Sequence, residues 1–465
     1  MTKAGLVGKI IAEGRLKLQS PLLLGSGREE AGNDIDIQVL KGKDGIPFLP
    51  GTSLAGVLRT FLERESPGAS EILFGSSEAG GEGSCQSSLV FHDIPLENAA
   101  LMARDGVSID AVTGTAMKGH KFDYEAVERG AEGNFCMVAT LRRAHLGEDG
   151  NLLPDLQAAI DDLLRKIAAG FQVGAHTTNG FGQVKVEKLE KKVYDFRDKT
   201  TVAAWLLPEE MSSSVAKESI HGGEAPYLAD DFVVEAEFSL KHALIVRDYN
   251  QEETIEKQDG KMTISAASLK EKGNYVIPGS SWKGVLRHQA EYILERLGKP
   301  GNLVDRMMGP SPQEMKAHPE KKWKGRLMVK ESVIRMECVA AKPQARVRID
   351  RFTGGTIDSA LFASKPLWGK DTEAAVKLSF IVEKAADHEA GLALCLLKDL
   401  WLGKTAVGGE KSIGRGVLQG RKALLHYRGK TYRFADGETA DEETVCDLNH
   451  FVEALADWQE KEAEA

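Results

Sequence analysis

Pro50-Gly-Thr-Ser-Leu-Ala-Gly-Val-Leu-Arg59 returns 228 positions later as Pro278-Gly-Ser-Ser-Trp-Lys-Gly-Val-Leu-Arg287, with seven of ten residues identical. Two more strings recur in the same order at nearly the same offset. Val107-Ser-Ile-Asp110 returns as Val347-Arg-Ile-Asp350, 240 positions on, and Gly180-Phe-Gly182 as Gly414-Arg-Gly416, 234 positions on. Three ordered motifs at nearly the same offset identify two copies of a module of about 200–235 residues, fused head to tail. The reading places the first module at 1–206, a linker at 207–230, the second module at 231–445 and an acidic tail at 446–465. Pro208 to Val215 and His221 to Pro226 combine Ser, Gly, Pro and charge without apolar periodicity, as linkers do.

Outward from the first motif, each copy shows the same run of elements. In copy one a strand is expected over 6–18. A helix after Pro50 follows, with Val57, Leu58, Phe61 and Leu62 on one face and Thr52 or Ser53 as its cap. Strands at 88–94 and 135–141 come next, then a helix marked by Leu156, Ile160, Leu163, Leu164 and Ile167, then a strand at 182–189. Copy two repeats this with strands at 232–246, 326–334, 376–383 and 416–425 and helices at 281–297 and 389–402. The order β-α-β-β-α-β predicts an α+β protein of two tandem ferredoxin-like (RRM-related) domains. The stretches 95–133 and 335–373 exceed any turn in such a fold and are insertions. In the tail, Phe451, Leu455 and Trp458 have the spacing of a short helix.

Composition bounds the function. With 60 Lys+Arg against 69 Asp+Glu the net charge is −9, which excludes a surface coated in basic charge but not a local basic groove. The five cysteines are dispersed and form no C-x-x-C pair, excluding the usual zinc spacings and a disulfide framework. The N-terminus leads into no apolar segment, and no run of about 18 apolar residues exists, so a cytoplasmic protein with no membrane partner is expected. Glycine is the outlier, 48 of 465.

Four constellations carry candidate chemistry. The Pro-Gly-Ser/Thr-Ser helix start (Thr52, Ser53, Ser280, Ser281) with Arg59, Lys283 and Arg287 along the helix suits a nucleic-acid backbone, and equally a plain helix cap. The Gly-rich loops, Asn179-Gly180-Phe181-Gly182 and Gly414-Arg415-Gly416, permit close backbone approach by a ligand or serve as tight turns. They fit neither a Walker A loop nor a dinucleotide fingerprint. The second insertion gathers Arg346, Arg348 and Arg351 around Phe352, a mixture suited to single-stranded RNA, or a solvated hairpin. Asp34 and Asp36 alternate with Ile35 and Ile37, placing both carboxylates on one strand face. There they could hold a divalent metal or align a 2′-hydroxyl, or simply face solvent on an edge strand. Copy two has no acid in Met262 to Ala267; Asp248 and Asp259 are the nearest. His176 in the first Gly-rich loop is a candidate acid/base without a counterpart.

Together these motifs resemble the RAMP superfamily of CRISPR proteins, and within it the backbone subunits of type III effector complexes. The resemblance rests on the Pro-Gly-Ser-Ser helix start, the Ile-Asp-Arg-x-Thr-Gly segment and the Gly-rich loop before the last strand, and it covers nearly the whole chain. Copy one departs at Ala55, where the lysine belongs, and at Ala111, in place of the arginine. Two modules in one chain look like the fused backbone subunit of a type III-D variant complex. The resemblance implies partners: crRNA, target single-stranded RNA and other type III subunits. In that family an aspartate in an Ile-Asp-x-x-Val context cuts target RNA with a divalent metal. Ile35-Asp36-Ile-Gln-Val39 matches it, implying Asp36 as catalytic carboxylate and metal ligand (Mg2+ or Mn2+), with Asp34 as understudy. It further implies 2′-hydroxyl attack leaving a cyclic phosphate, and inserted thumbs that flip out a target base at intervals. The expected activity is a metal-dependent endoribonuclease acting on target RNA, with the second module inactive. The alternatives are a non-catalytic crRNA-binding scaffold and a metal-independent nuclease processing precursor crRNA through His176.

Overall fold

The structure, a computed structural model, describes residues 5–27, 35–76, 86–110, 113–208, 215–223, 228–248, 253–257, 260–264, 266–311, 314–315, 318, 320, 323–370 and 374–459. Asp34, Ala111 and Asp259 lie outside the described residues. The chain divides into two compact units. One holds Met1–Met102, Glu125–Thr177 and Phe181–Pro226; the other holds Ala103–Tyr124, Thr178–Gly180 and Tyr227–Ala465. A hairpin of the first repeat and the tip of its Gly-rich loop are thus counted with the second unit.

The first repeat runs β1 (Leu6–Leu18), α1 (Gly51–Glu65), β2 (Leu89–Phe91), β3 (Leu101–Ile109), β4 (Ala116–Val127), β5 (Glu132–Arg142), α2 (Pro154–Ala169), β6 (Gln183–Asp195) and β7 (Lys217–Ile220). Its antiparallel sheet has the order β7-β6-β1-β5-β2. Without the added edge strand β7 this is fourth-first-third-second, the ferredoxin-like order. Ile10, Ala12, Leu16 and Leu18 of β1 are buried, while Glu13 and Arg15 between them reach the other face. On α1 the buried stripe is Leu54, Leu58 and Leu62, with Val57 and Phe61 packed at its margin. All five apolar residues expected to mark α2 are buried. Each such leucine contributes about 1.5–3 kcal/mol relative to exposure.

The second repeat runs β8 (Phe232–Leu240), α3 (Gly279–Arg296), β9 (Leu327–Val329), β10 (Gln344–Ile349), β11 (Thr356–Ser364), β12 (Val376–Val382), α4 (Asp387–Trp401), β13 (Leu418–Tyr427), β14 (Lys430–Ala435) and α5 (Glu442–Asp457). The order β9-β12-β8-β13-β14 repeats the first sheet with β14 as the extra edge. Trp282, where copy one has Leu54, is fully buried and donates its indole N–H to Ser332 Oγ at 2.9 Å.

Several expectations are modified. Pro50 and Pro278 themselves occupy the N-cap positions, with no side-chain cap bond. Thr52 and Ser53 therefore lie inside the first turn, and neither caps the helix. Asp36 sits in a bend, followed by isolated bridges such as Gly25↔Val39 rather than a continuous strand. Its partner stretch turns away at Gly27, which has φ +66° and cannot extend a ladder. Part of the expected linker, Lys217–Ile220, is a sheet strand. The C-terminal helix begins at Glu442, before the compositional boundary, because Asp441 caps it through the Thr444 N–H; its Phe451 and Leu455 are buried in the second core.

Candidate nucleic-acid interface

Both Gly-rich loops owe their second glycine to geometry. Gly182 has φ +75° and Gly416 φ +80°. Gly182 donates to Pro21 C=O and accepts from Val173 N–H; Gly416 does the same with Ala243 and Val407. A Cβ at either position would collide with the Val173 or Val407 carbonyl oxygen. The two insertions each hold a hairpin, β3/β4 and β10/β11. At the tips, the Asp110 carboxylate accepts from Thr113 N–H and Oγ1, and Asp350 from Phe352 N–H, Thr353 N–H and Thr353 Oγ1. The Asp-x-x-Thr-Gly repeat is thus a turn motif. Those backbone donors hold the Asp350 carboxyl below the usual carboxylate range.

Beyond that tip Phe352 is 84% exposed, with the Arg351 guanidinium 5.0 Å from its ring centroid. Arg348 is exposed too. This is an aromatic face edged by cations, suited to base stacking. Other candidates are engaged internally. Arg59 bonds Glu63 and the Gly75 carbonyl, and Arg287 bonds Asp305 and the Gly309 carbonyl. Each clamps the carbonyl that ends the short helix that follows, which explains why the arginine recurs. Gly51 N–H donates to Asp93 Oδ1 at 2.8 Å, so a carboxylate already sits at the start of α1. Phe181 is buried and packs near His176, whose pKa burial pushes below its usual value. Thr52, Ser280 and Gly414 are exposed, Ser53, Ser281 and Asn179 half-buried, and Gly180 buried.

Lys283 stands near Arg287 and Lys324. Burial, with those like charges adding, pushes its pKa down to about 8. The ammonium is present below pH 8 and lost as pH rises through it. With Lys283 as a contact to an RNA phosphate, single-stranded RNA affinity is expected to fall several-fold from pH 7 to pH 9, and Lys283→Met to flatten that fall. Binding titrations across this range check it; an identical pH profile in the variant refutes the assignment.

Asp36 is exposed on a firmly anchored stretch. Glu125 N–H donates to Ile37 C=O at 2.8 Å, and the Glu125 carboxylate accepts from Val39 N–H and Lys41 Nζ. Asp248 of copy two is buried in a short strand pair with Ala267. Among the described residues no three His, Cys, Asp or Glu converge as a metal cage. One carboxylate on an open surface still matches how Mg2+ is held with substrate phosphates, through one or two carboxylates.

The densest charge lies at the base of β10/β11. Glu410, in left-handed backbone at φ +58°, receives Arg247 Nη2 at 2.7 Å and Arg346 Nη2 at 2.6 Å, and pairs with buried Arg415. Arg415 also bonds Ser364 Oγ and Gln344 Oε1. Burial works to raise the Glu410 carboxyl, but the hydrogen bonds from Arg247 and Arg346, with Arg415 beside them, outweigh it and hold it below its usual value. Arg346 and Arg415 were candidates from sequence; Arg247 and Glu410 were missed. The one signal for Glu410 was an acid inside a loop otherwise rich in glycine and cations.

A model of the RAMP superfamily matches residues 15–185 and 216–419. No curated protein matches the chain. Among the described residues no helix is long and apolar enough to cross a membrane.

Proposed function

Because the chain belongs to the RAMP superfamily, we propose that it is a crRNA-binding backbone subunit of a type III CRISPR effector complex, and that it cuts bound target RNA at one place through Asp36. The observation that carries the reading is an asymmetry within the repeat. Two modules share one sheet order and one kind of inserted hairpin, yet among the described residues the first presents the exposed Asp36 before its Pro-Gly-Thr-Ser helix, while Asp248 of the second is buried. The exposed Phe352 with Arg348 and Arg351 gives the second module a surface that fits stacked, single-stranded bases.

In the proposed reaction the 2′-hydroxyl of the target attacks the adjacent phosphorus, the O5′ bond breaks, and the products are a 2′,3′-cyclic phosphate and a 5′-hydroxyl. Asp36 accepts the 2′-hydroxyl proton or positions that hydroxyl. A divalent cation, Mg2+ or Mn2+, held by Asp36 with target phosphate oxygens, would offset charge on the phosphodiester. The bonds from Glu125 to Ile37 and Val39 hold the backbone that follows Asp36.

The first test is binding. Full-length chain mixed with guide RNA at near-physiological salt is expected to form a stable complex that survives gel filtration. A folded chain eluting free of RNA, alone and with its co-expressed partner subunits, ends this reading. The partner subunits are identified by co-purification.

A further inference from the structure

We propose that Arg247, Arg346 and Phe362 form a pocket for one nucleotide of the bound RNA, its phosphate on the two arginines and its base against the ring, with Glu410 as the resident anion that the phosphate competes against. The inference rests on the RNA-binding reading above and adds a site to it. The cavity is about 370 Å³, lined by Arg247, Ala266, Arg346, Phe362, Ser364 and Glu410 among others. Such a volume is at the small end of ligand pockets.

Three observations point to an anionic ligand. First, three guanidinium groups converge on the one carboxylate of Glu410. Second, Arg346 Nε is buried and finds no hydrogen-bond partner among the described residues, although both neighbouring arginines are engaged. A buried N–H without an acceptor is unfavourable, and a phosphate oxygen would satisfy it. Third, Phe362 is 47% exposed at the rim of the cavity, a large apolar ring left open where a base would stack.

The first repeat shows that this is not a requirement of the fold. His176 stands six residues before the second loop glycine, as Glu410 does, and shares its left-handed backbone at φ +57°. Phe181 stands where Arg415 does, and Gly106 where Arg346 does, by the alignment of Val107 with Val347. Ala175 N–H bonds Leu23 C=O as Gly409 N–H bonds Ile245 C=O, which puts Gly25 in the place of Arg247. Two glycines, a phenylalanine and a histidine therefore replace three arginines and a glutamate. The Gly-rich loop thus keeps the same backbone bonds in the first repeat without the charges, so the loop fold does not demand them.

The competition fixes the sign of the test. Full-length chain is titrated with labelled single-stranded RNA at several salt concentrations, and separately with a nucleoside monophosphate. Removing one unit charge a few ångströms from a phosphate in a largely aqueous setting strengthens binding by about fivefold, so Glu410→Gln is expected to bind RNA about fivefold more tightly. Arg247→Gln, a change at a partly exposed side chain, is expected to weaken RNA binding and lower the salt slope by about 0.7, the share of one phosphate contact on a single strand. Thermal melts confirm that the variants are folded. If Glu410 is only a brace that holds the arginines together, Glu410→Gln weakens binding, and the proposal is overturned. It is equally overturned if folded Arg247→Gln binds RNA as the natural chain does, or if the variants change monophosphate binding but not RNA binding. A natural chain that binds no RNA at all instead strikes the functional reading on which the pocket depends.

Discussion

Asp36→Ala is expected to abolish one cut in the target RNA, lowering its rate by at least about a hundredfold, while guide binding and assembly stay unchanged. The size follows from what the carboxylate is asked to do. Positioned acid–base groups contribute about 10²–10⁴-fold, and among the described residues no group of three or more His, Cys, Asp or Glu forms a metal cage that would compensate. The selectivity follows from exposure. Asp36 lies in an exposed bend whose backbone is anchored by Glu125 through Ile37 and Val39, so the truncated side chain leaves those bonds intact. Denaturing gels of end-labelled target, cut by complexes with and without the substitution, read the result. Unchanged product lengths would return the chain to a non-catalytic scaffold. Cutting of precursor guide RNA that persists in chelator would favour His176. Asp248→Ala is the control: that side chain is buried against Ala267, and the map of cuts should not change.

The largest stability effect is expected at Arg104. Its guanidinium is 3% exposed and meets Glu331 at 3.0 and 3.4 Å, with Glu271 at 3.9 Å; both carboxylates are essentially inaccessible. All three belong to the second unit, to which the hairpin 103–124 is counted. Arg104→Met takes the guanidinium away from two buried carboxylates. Breaking a buried pair from one side costs about 3–5 kcal/mol. Denaturant unfolding of the full chain should show that loss in the transition of the second unit. Arg104→Met combined with Glu331→Met should recover part of it, since well-packed apolar side chains often replace a buried pair at little cost. A loss under about 1 kcal/mol for the single change would mean that water reaches the cluster.

The repeat was legible because its motifs are steric demands written in few residues. Gly182 and Gly416 stand where no Cβ fits, and Asp110 and Asp350 build the same turn with the same threonine. Strings of that kind survive when the rest of two modules drifts apart. From them came the module count; the insertions were read from their length and the order of elements from apolar periodicity. The functional surface was less legible because side chains act in space. Arg59 and Arg287 looked like phosphate contacts in sequence, yet each holds a glycine carbonyl in its own module. The cluster around Glu410 draws residues 247, 346 and 410–415 from three separate segments, and no spacing could announce it. The short stretch around Asp36 read as a strand by alternation alone. Gly27 opposite it breaks the ladder, and only its dihedral reveals this.

The buried arginine also sets an order of events during synthesis. Arg104 and its partner Glu331 are 227 residues apart in the chain. When the ribosome has finished the first repeat, β3 and β4 can pair with each other, but the carboxylates that neutralise Arg104 do not yet exist. The hairpin must remain solvated until about half of the second repeat has emerged, and only then can its base leave water. Two modules that arose as copies therefore do not mature as independent copies: the earlier one supplies a part that the later one finishes, and a chain halted between them carries an arm with nowhere to be buried.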